Sequence, residues 1–312
     1  MLPQLAGGTF VTDGGMETTL IFHEGFDLPC FASFVLVEDE HGSDALRSYY
    51  SRYVALARER GVGLLLDAPT WRASRDWGER LGYSESALAD VNRRAVALVE
   101  ELRADAAGDP PIVISGCVGP RGDAYRPADL MSADEAEAYH SDQIATLAGT
   151  TADLVSALTL TYVEEAIGIA RAAHDAGIPV AVSFTVETDG RLPSGQELGE
   201  AIEQVDAETD GEPAYFMINC AHPTHFAPVL ERGEPWLERI GGLRANASKL
   251  SHAELDEAEE LDEGDPADLG ARYAELRSLL PEVRIVGGCC GTDHRHIAAI
   301  AEAWRAADTG AA

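Results

Sequence analysis

Eight short apolar runs, each followed by something helical, set the tightest limit on what this chain can fold into. The runs are "TFVTD" (9–13), "VGLLLD" (62–67), "IVISG" (112–116), "DLVSAL" (153–158), "IPVAVSFT" (178–185), "YFMINC" (215–220), "IGGLRAN" (240–246) and "VRIVGG" (283–288). Runs of this length between amphipathic segments read as buried strands of a parallel sheet joined by helical crossovers. Eight such units in 312 residues predict one domain over residues 1–312, a (β/α)8 TIM barrel of the α/β class. A doubly wound open sheet is the competing fold. It loses support because no G-x-G-x-x-G or Walker loop follows any strand.

The helical segments carry their own start and stop signals. In "SDALRSYYSRYVALARERG", Ser43 is the expected N-cap and Gly61 the expected terminator. Segments 84–105, 132–149, 162–177 and 265–281 have similar amphipathic spacing. No stretch is apolar enough for a membrane span, and "MLPQLAGGTF" lacks the pattern of a secretory signal. The net charge of −31, from 54 acidic against 23 basic residues with Lys249 as the one lysine, repels nucleic acid and anionic membranes. Small molecules are therefore the expected partners. Five cysteines, an odd number without disulfide-like spacing, point to a reducing cytoplasm and to free thiols.

A barrel places its chemistry at the C-terminal ends of its strands. Read in order, those positions are Asp13, Asp67, Gly116 with Cys117, Leu158, Thr185 with Glu187, Cys220, Asn246, and Cys289 with Cys290. Three of the five cysteines fall at the ends of the sixth and eighth strands, in "INCAHP" and "GGCCGT". Adjacent cysteines do not readily bond to each other, because the small ring is strained. Three thiolates converging on the barrel mouth suit a soft tetrahedral metal, and three ligands with an open fourth position is the arrangement of catalytic zinc. A sulfur-rich shell activates water poorly, which disfavours a hydrolase. It holds an added thiol as thiolate, the nucleophilic form, and alkyl transfer to sulfur follows.

The remaining candidates have plainer readings. Cys30 and Cys117 read as small buried hydrophobes. His222, His225, His294 and His296 read as capping or surface groups. Trp71, Trp77 and Tyr125 can box a methylated cation, but packing is the preferred reading.

With these residues in view, the chain resembles the homocysteine S-methyltransferase family of zinc-dependent barrels, over nearly its whole length. The resemblance rests on "TDGGMETTL" against D-G-G/A-M-x-T-x-L, on "SGCVGP", "VSFTV" and "INCAHP", and most of all on "GGCCGT". It implies a methyl transfer from a sulfonium or ammonium donor, of the S-methylmethionine or betaine type, to homocysteine or a related thiol. By the same resemblance Cys220, Cys289 and Cys290 are the Zn2+ ligands and catalytic centre. Asp13, with Gly14 and Gly15, helps to hold the amino-acid thiol, and Asn219 joins this substrate side by orienting its neighbouring ligand. Two departures stand out. Leu158 occupies the position of the family's ammonium-binding glutamate, and Pro69 in "APTWRAS" that of an asparagine. Either another carboxylate, Glu187 or Glu17, takes the ammonium, or the acceptor is not homocysteine. A barrel of this family that binds zinc or senses thiols without methylating homocysteine is the alternative.

Overall fold

A computed structural model of the chain describes residues 2–310 other than 128, 129, 232 and 259. Eight strands form the sheet: β1 (Phe10–Thr12), β2 (Gly63–Asp67), β3 (Ile112–Val118), β4 (Leu154–Leu160), β5 (Val180–Phe184), β6 (Tyr215–Asn219), β7 (Ile240–Ala245) and β8 (Ile285–Gly288). Each pairs in parallel with its sequence neighbours, and β8 returns to β1 through Phe10↔Ile285 and Val11↔Val286, so the sheet closes into a barrel. Helices wrap it: α1 (Glu40–Arg60), α2 (Glu85–Ala106), α3 (Ala133–Ala148), α4 (Val163–Ala176), α5 (Leu198–Glu208), α6 (Pro266–Arg277) and α7 (His294–Gly310). After β6 the crossover carries, among the described residues, the short helix Pro223–Phe226 and two 3-10 turns. The expected barrel is the observed fold, and among the described residues no helix is long and apolar enough to cross a membrane.

The helix ends follow from local chemistry, with one correction. Gly61 ends α1 in the left-handed region (φ 61°), where a residue lacking Cβ pays no steric penalty. Its N-cap, however, is Asp39 and not Ser43. The Asp39 carboxylate accepts the Gly42 N–H at 2.8 Å, while Ser43 lies inside the first turn with its hydroxyl toward the Leu36 carbonyl. Aspartate caps as well as serine does, and the earlier of the two candidates won. Ser132 and Glu135 start α3 with a reciprocal capping box.

The strand ends also needed adjustment. β3 and β4 each run two residues past the predicted end, so Cys117 and Leu158 sit within strands. Both join the barrel-interior cluster with Phe10, Leu65, Val113 and Met217. Cys117 is buried as expected; Cys30 is not, since the tight turn Pro29–Phe31 holds it at φ 58° and leaves it exposed.

Candidate metal and thiol site

Three sulfurs meet where β6 and β8 end. Cys220, Cys289 and Cys290 present ligand atoms within 4.8 Å of one another, a group able to hold a metal ion. They converge because β7, between the two strands, fixes both turns: Cys220 N–H donates to the Arg244 carbonyl (3.1 Å) and Cys289 N–H to the Ala245 carbonyl (2.8 Å). One expectation is corrected here. Cys220 and Cys289, 69 residues apart in sequence, are joined as a disulfide, while Cys290 stays a free thiol 4.0 Å from the Cys220 sulfur. Their Cα atoms are 5.4 Å apart, well inside the reach of a disulfide. Sequence spacing does not reveal such a pairing, because barrel closure creates the proximity. Ligation by all three sulfurs requires this pair reduced; the donor set is then three soft thiolates, which suits zinc.

The first turn of the chain is clamped to the same place. Gly14 and Gly15 come so close to the β8 turn that a Cβ on Gly14 would lie 2.6 Å from the Thr292 carbonyl oxygen, and one on Gly15 2.6 Å from that of Cys289. Thr18 Oγ1 accepts the Gly291 N–H at 3.2 Å. The glycines of "DGG" are therefore required by backbone approach.

Asn219 braces the cluster from β6. Its side-chain oxygen accepts from Thr159 N–H (2.9 Å) and Ser183 Oγ (2.6 Å), and its amide nitrogen donates to Thr159 Oγ1 (2.8 Å) and points at the Cys289 sulfur (3.9 Å). On the other flank the Tyr125 hydroxyl lies 3.7 Å from the Cys290 sulfur, and its ring stacks on His252 with centroids 4.0 Å apart. His252 Nε2 in turn meets the Cys220 carbonyl at 2.8 Å, and Nδ1 meets Glu187 at 3.3 Å.

Beneath the cluster lies a buried ionic triad. Arg244 Nη2 donates to Asp13 Oδ1 at 2.6 Å, Nη1 to Asp67 Oδ2, and Nε to the Gly288 carbonyl at 3.2 Å. The second Asp13 oxygen takes the Tyr49 hydroxyl at 3.1 Å. Burial pushes the Asp13 carboxyl up to about 7 against the pull of Arg244. Burial also opposes the Arg244 charge, but the two carboxylates outweigh it and hold its pKa above the ordinary value. Arg244 escaped the sequence reading, although a signal was present: an arginine inside an otherwise apolar strand needs a buried acid.

The plainer readings hold for Trp71 and Trp77, while His225 and His296 prove buried and hydrogen-bonded rather than surface groups. Arg72 fills the space between Trp71 and Trp77, its guanidinium 4.1 and 3.9 Å from the two ring centroids, so no methylated cation enters there. His225 Nε2 meets the Lys249 carbonyl at 3.0 Å, His296 bridges Asp293 and the Glu263 carbonyl, and His294 is exposed at the start of α7. His222 caps the short helix after β6, and burial holds its ring down to about 4. Because the unfolded ring titrates near 6.5, the unfolded state binds the proton first on acidification. Stability from this ring is thus complete above about pH 6.5 and falls by about 3 kcal/mol as pH drops through 4. Denaturant titrations of wild type and His222→Asn, which keeps a capping oxygen, are expected to diverge over that window. Parallel curves would exclude His222 as the source.

Comparison with known proteins agrees with this geometry. Residues 10–304 match the family described as homocysteine S-methyltransferase. Homocysteine S-methyltransferase 4 of Zea mays is 25% identical over 327 residues, covering 97% of this chain and 91% of its own. Two crystal structures of the homocysteine methyltransferase MmuM from Escherichia coli share the fold. The oxidized form superposes with a TM-score of 0.73 at 22% identity, covering 94% of both chains. The metallated form gives 0.72 at 20% identity, covering 95% of this chain and 96% of its own.

Proposed function

This chain belongs to the homocysteine S-methyltransferase family, and we propose that it is the zinc form of that chemistry, moving a methyl group from a sulfonium or ammonium donor to homocysteine or a closely related thiol. The acceptor sulfur gains the methyl carbon, and the donor leaves with its electron pair as a neutral thioether or amine; with homocysteine the product is methionine. The observation that carries the reading is the convergence of Cys220, Cys289 and Cys290 at the barrel mouth. Zinc bound there would keep the acceptor sulfur deprotonated at neutral pH, and a thiolate attacks where a thiol does not.

The chain's own residues supply position. Asn219, fixed by three hydrogen bonds to Thr159 on β4 and Ser183 on β5, orients the Cys289 sulfur. Asp13, Gly14 and Gly15 frame the acceptor side, since their backbone lies against the Cys289–Thr292 turn. Asp13 acts from below, because Arg244 and Tyr49 already engage both its oxygens. A reducing, cytoplasmic setting fits the role, as only reduced cysteines ligate together.

The test is methionine formation by reduced, zinc-loaded protein from L-homocysteine with S-methylmethionine or betaine. Methionine from one donor supports the proposal. Homocysteine binding without product from either donor would favour the non-methylating alternative instead.

A further inference from the structure

Two charged side chains at the barrel mouth have no ion-pair partner among the described residues. Arg72, 6% exposed, forms no ion pair among the described residues. Its Nη1 donates to the carbonyls of Gly122 (2.9 Å) and Pro120 (3.4 Å), and its buried Nε has no partner. A guanidinium does not shed its proton, so this charge persists where water is excluded. Glu17 is the other. Its Oε1 accepts from Ser33 at 2.8 Å, and among the described residues no cation pairs with it. Burial raises its pKa, against the Ser33 hydrogen bond and the more distant charges of Arg244 and Arg72. Of the carboxylates near Arg72, the exposed Asp123 acts on its charge most and Glu17 next, and neither forms an ion pair with it among the described residues.

The residues on either side of Glu17 are packed against the turn that carries Cys289 and Cys290. Glu17 lies between Gly15, whose Cβ would come within 3.1 Å of the Cys290 Cα, and Thr18, which takes the Gly291 N–H. Most other carboxylates at the strand ends already face a cation or donor. Asp13 uses both oxygens, Asp67 gives one oxygen to Arg244 while its buried Oδ1 has no hydrogen-bond partner among the described residues, and Glu187 pairs with His252. Leu158 offers only hydrocarbon.

From this arrangement we infer that Glu17 and Arg72 together recognise the α-amino-acid head of the thiol acceptor, Glu17 taking its ammonium and Arg72 its carboxylate. The inference rests on the thiol-acceptor reading above and selects Glu17 over Glu187. A zwitterion satisfies the buried Arg72 and the part-buried Glu17 at once, and each charge-assisted hydrogen bond made away from water is stronger than a neutral one. The acceptor class is accordingly an amino acid bearing a side-chain thiol.

Calorimetric titration of zinc-loaded protein with three thiols tests this: L-homocysteine, 4-mercaptobutyrate, which lacks the ammonium, and 3-aminopropane-1-thiol, which lacks the carboxylate. Each analogue is expected to bind about 10- to 100-fold more weakly than homocysteine. Glu17→Gln should erase the preference over 4-mercaptobutyrate and leave the affinity for that analogue unchanged. Arg72→Gln should erase the preference over the aminothiol. Arg72 is packed between two indoles, so if that variant does not fold, the wild-type comparison and Glu17→Gln decide. Analogues that bind wild type as tightly as homocysteine, or a Glu17→Gln protein that still prefers homocysteine, would overturn the pair while leaving thiol binding intact. Absence of binding by all three thiols would instead overturn the acceptor reading itself.

Discussion

Cys289→Ala protein is expected to retain its fold, lose its zinc and make no methionine. Two thiolates remain, and a supporting group outside the ligand set is already worth up to about 100-fold in metal affinity, so losing a ligand should exceed that. Zinc measured on reduced protein after gel filtration should fall from one per chain to none. Cys117→Ala is the matched control, since Cys117 lies inside the barrel and outside the sulfur group. If the alanine variant at 289 keeps stoichiometric zinc, Cys289 is not a ligand. If Cys117→Ala loses it, the ligand set has been drawn wrongly.

The second large effect concerns the triad below. Arg244→Leu leaves Asp13 and Asp67 buried side by side with no counter-charge. Breaking a buried ion pair on one side costs about 3 to 5 kcal/mol, because the stranded charge has neither water nor partner. The sign of its pH dependence follows from the carboxyls. Burial raises Asp13 to about 7 even with the guanidinium present, and unfolded aspartate titrates near 3.9. Between these values the folded variant binds more protons than the unfolded chain, so its stability falls as pH rises. Urea unfolding at pH 5 and pH 8 should therefore show a smaller deficit relative to wild type at the lower pH. A deficit under about 1 kcal/mol, or one unchanged with pH, would mean the triad carries no net weight.

Much of this could be read from residues alone, and the limits have physical causes. The eight strands and the sulfur group were legible because strand ends in a barrel point one way, so local motifs map directly onto the mouth. What depended on closure was not. Arg244 on β7 reaches Asp13 on β1 and Asp67 on β2, and no local pattern names such partners. The Cys220–Cys289 bond is of the same kind. Arg72 between Trp71 and Trp77 was hidden differently: the aromatics suggested a cage, but the occupant came from the chain itself. Ser43 and Asp39 show the smallest scale of error, two valid caps four residues apart.

The seam between β1 and β8 has a consequence for how the protein is made. Gly15 and Thr18 bind the Cys289–Thr292 turn, so residues following the first and the last strand of the barrel must meet before the sulfurs are aligned. During synthesis β1 emerges before the other strands and waits, unpaired on one edge, until β8 has been translated. The site is thus the last part of the barrel to take shape, and a barrel cut short before β8, however well its early units fold, presents no place for a metal. Zinc uptake would report on closed barrels only.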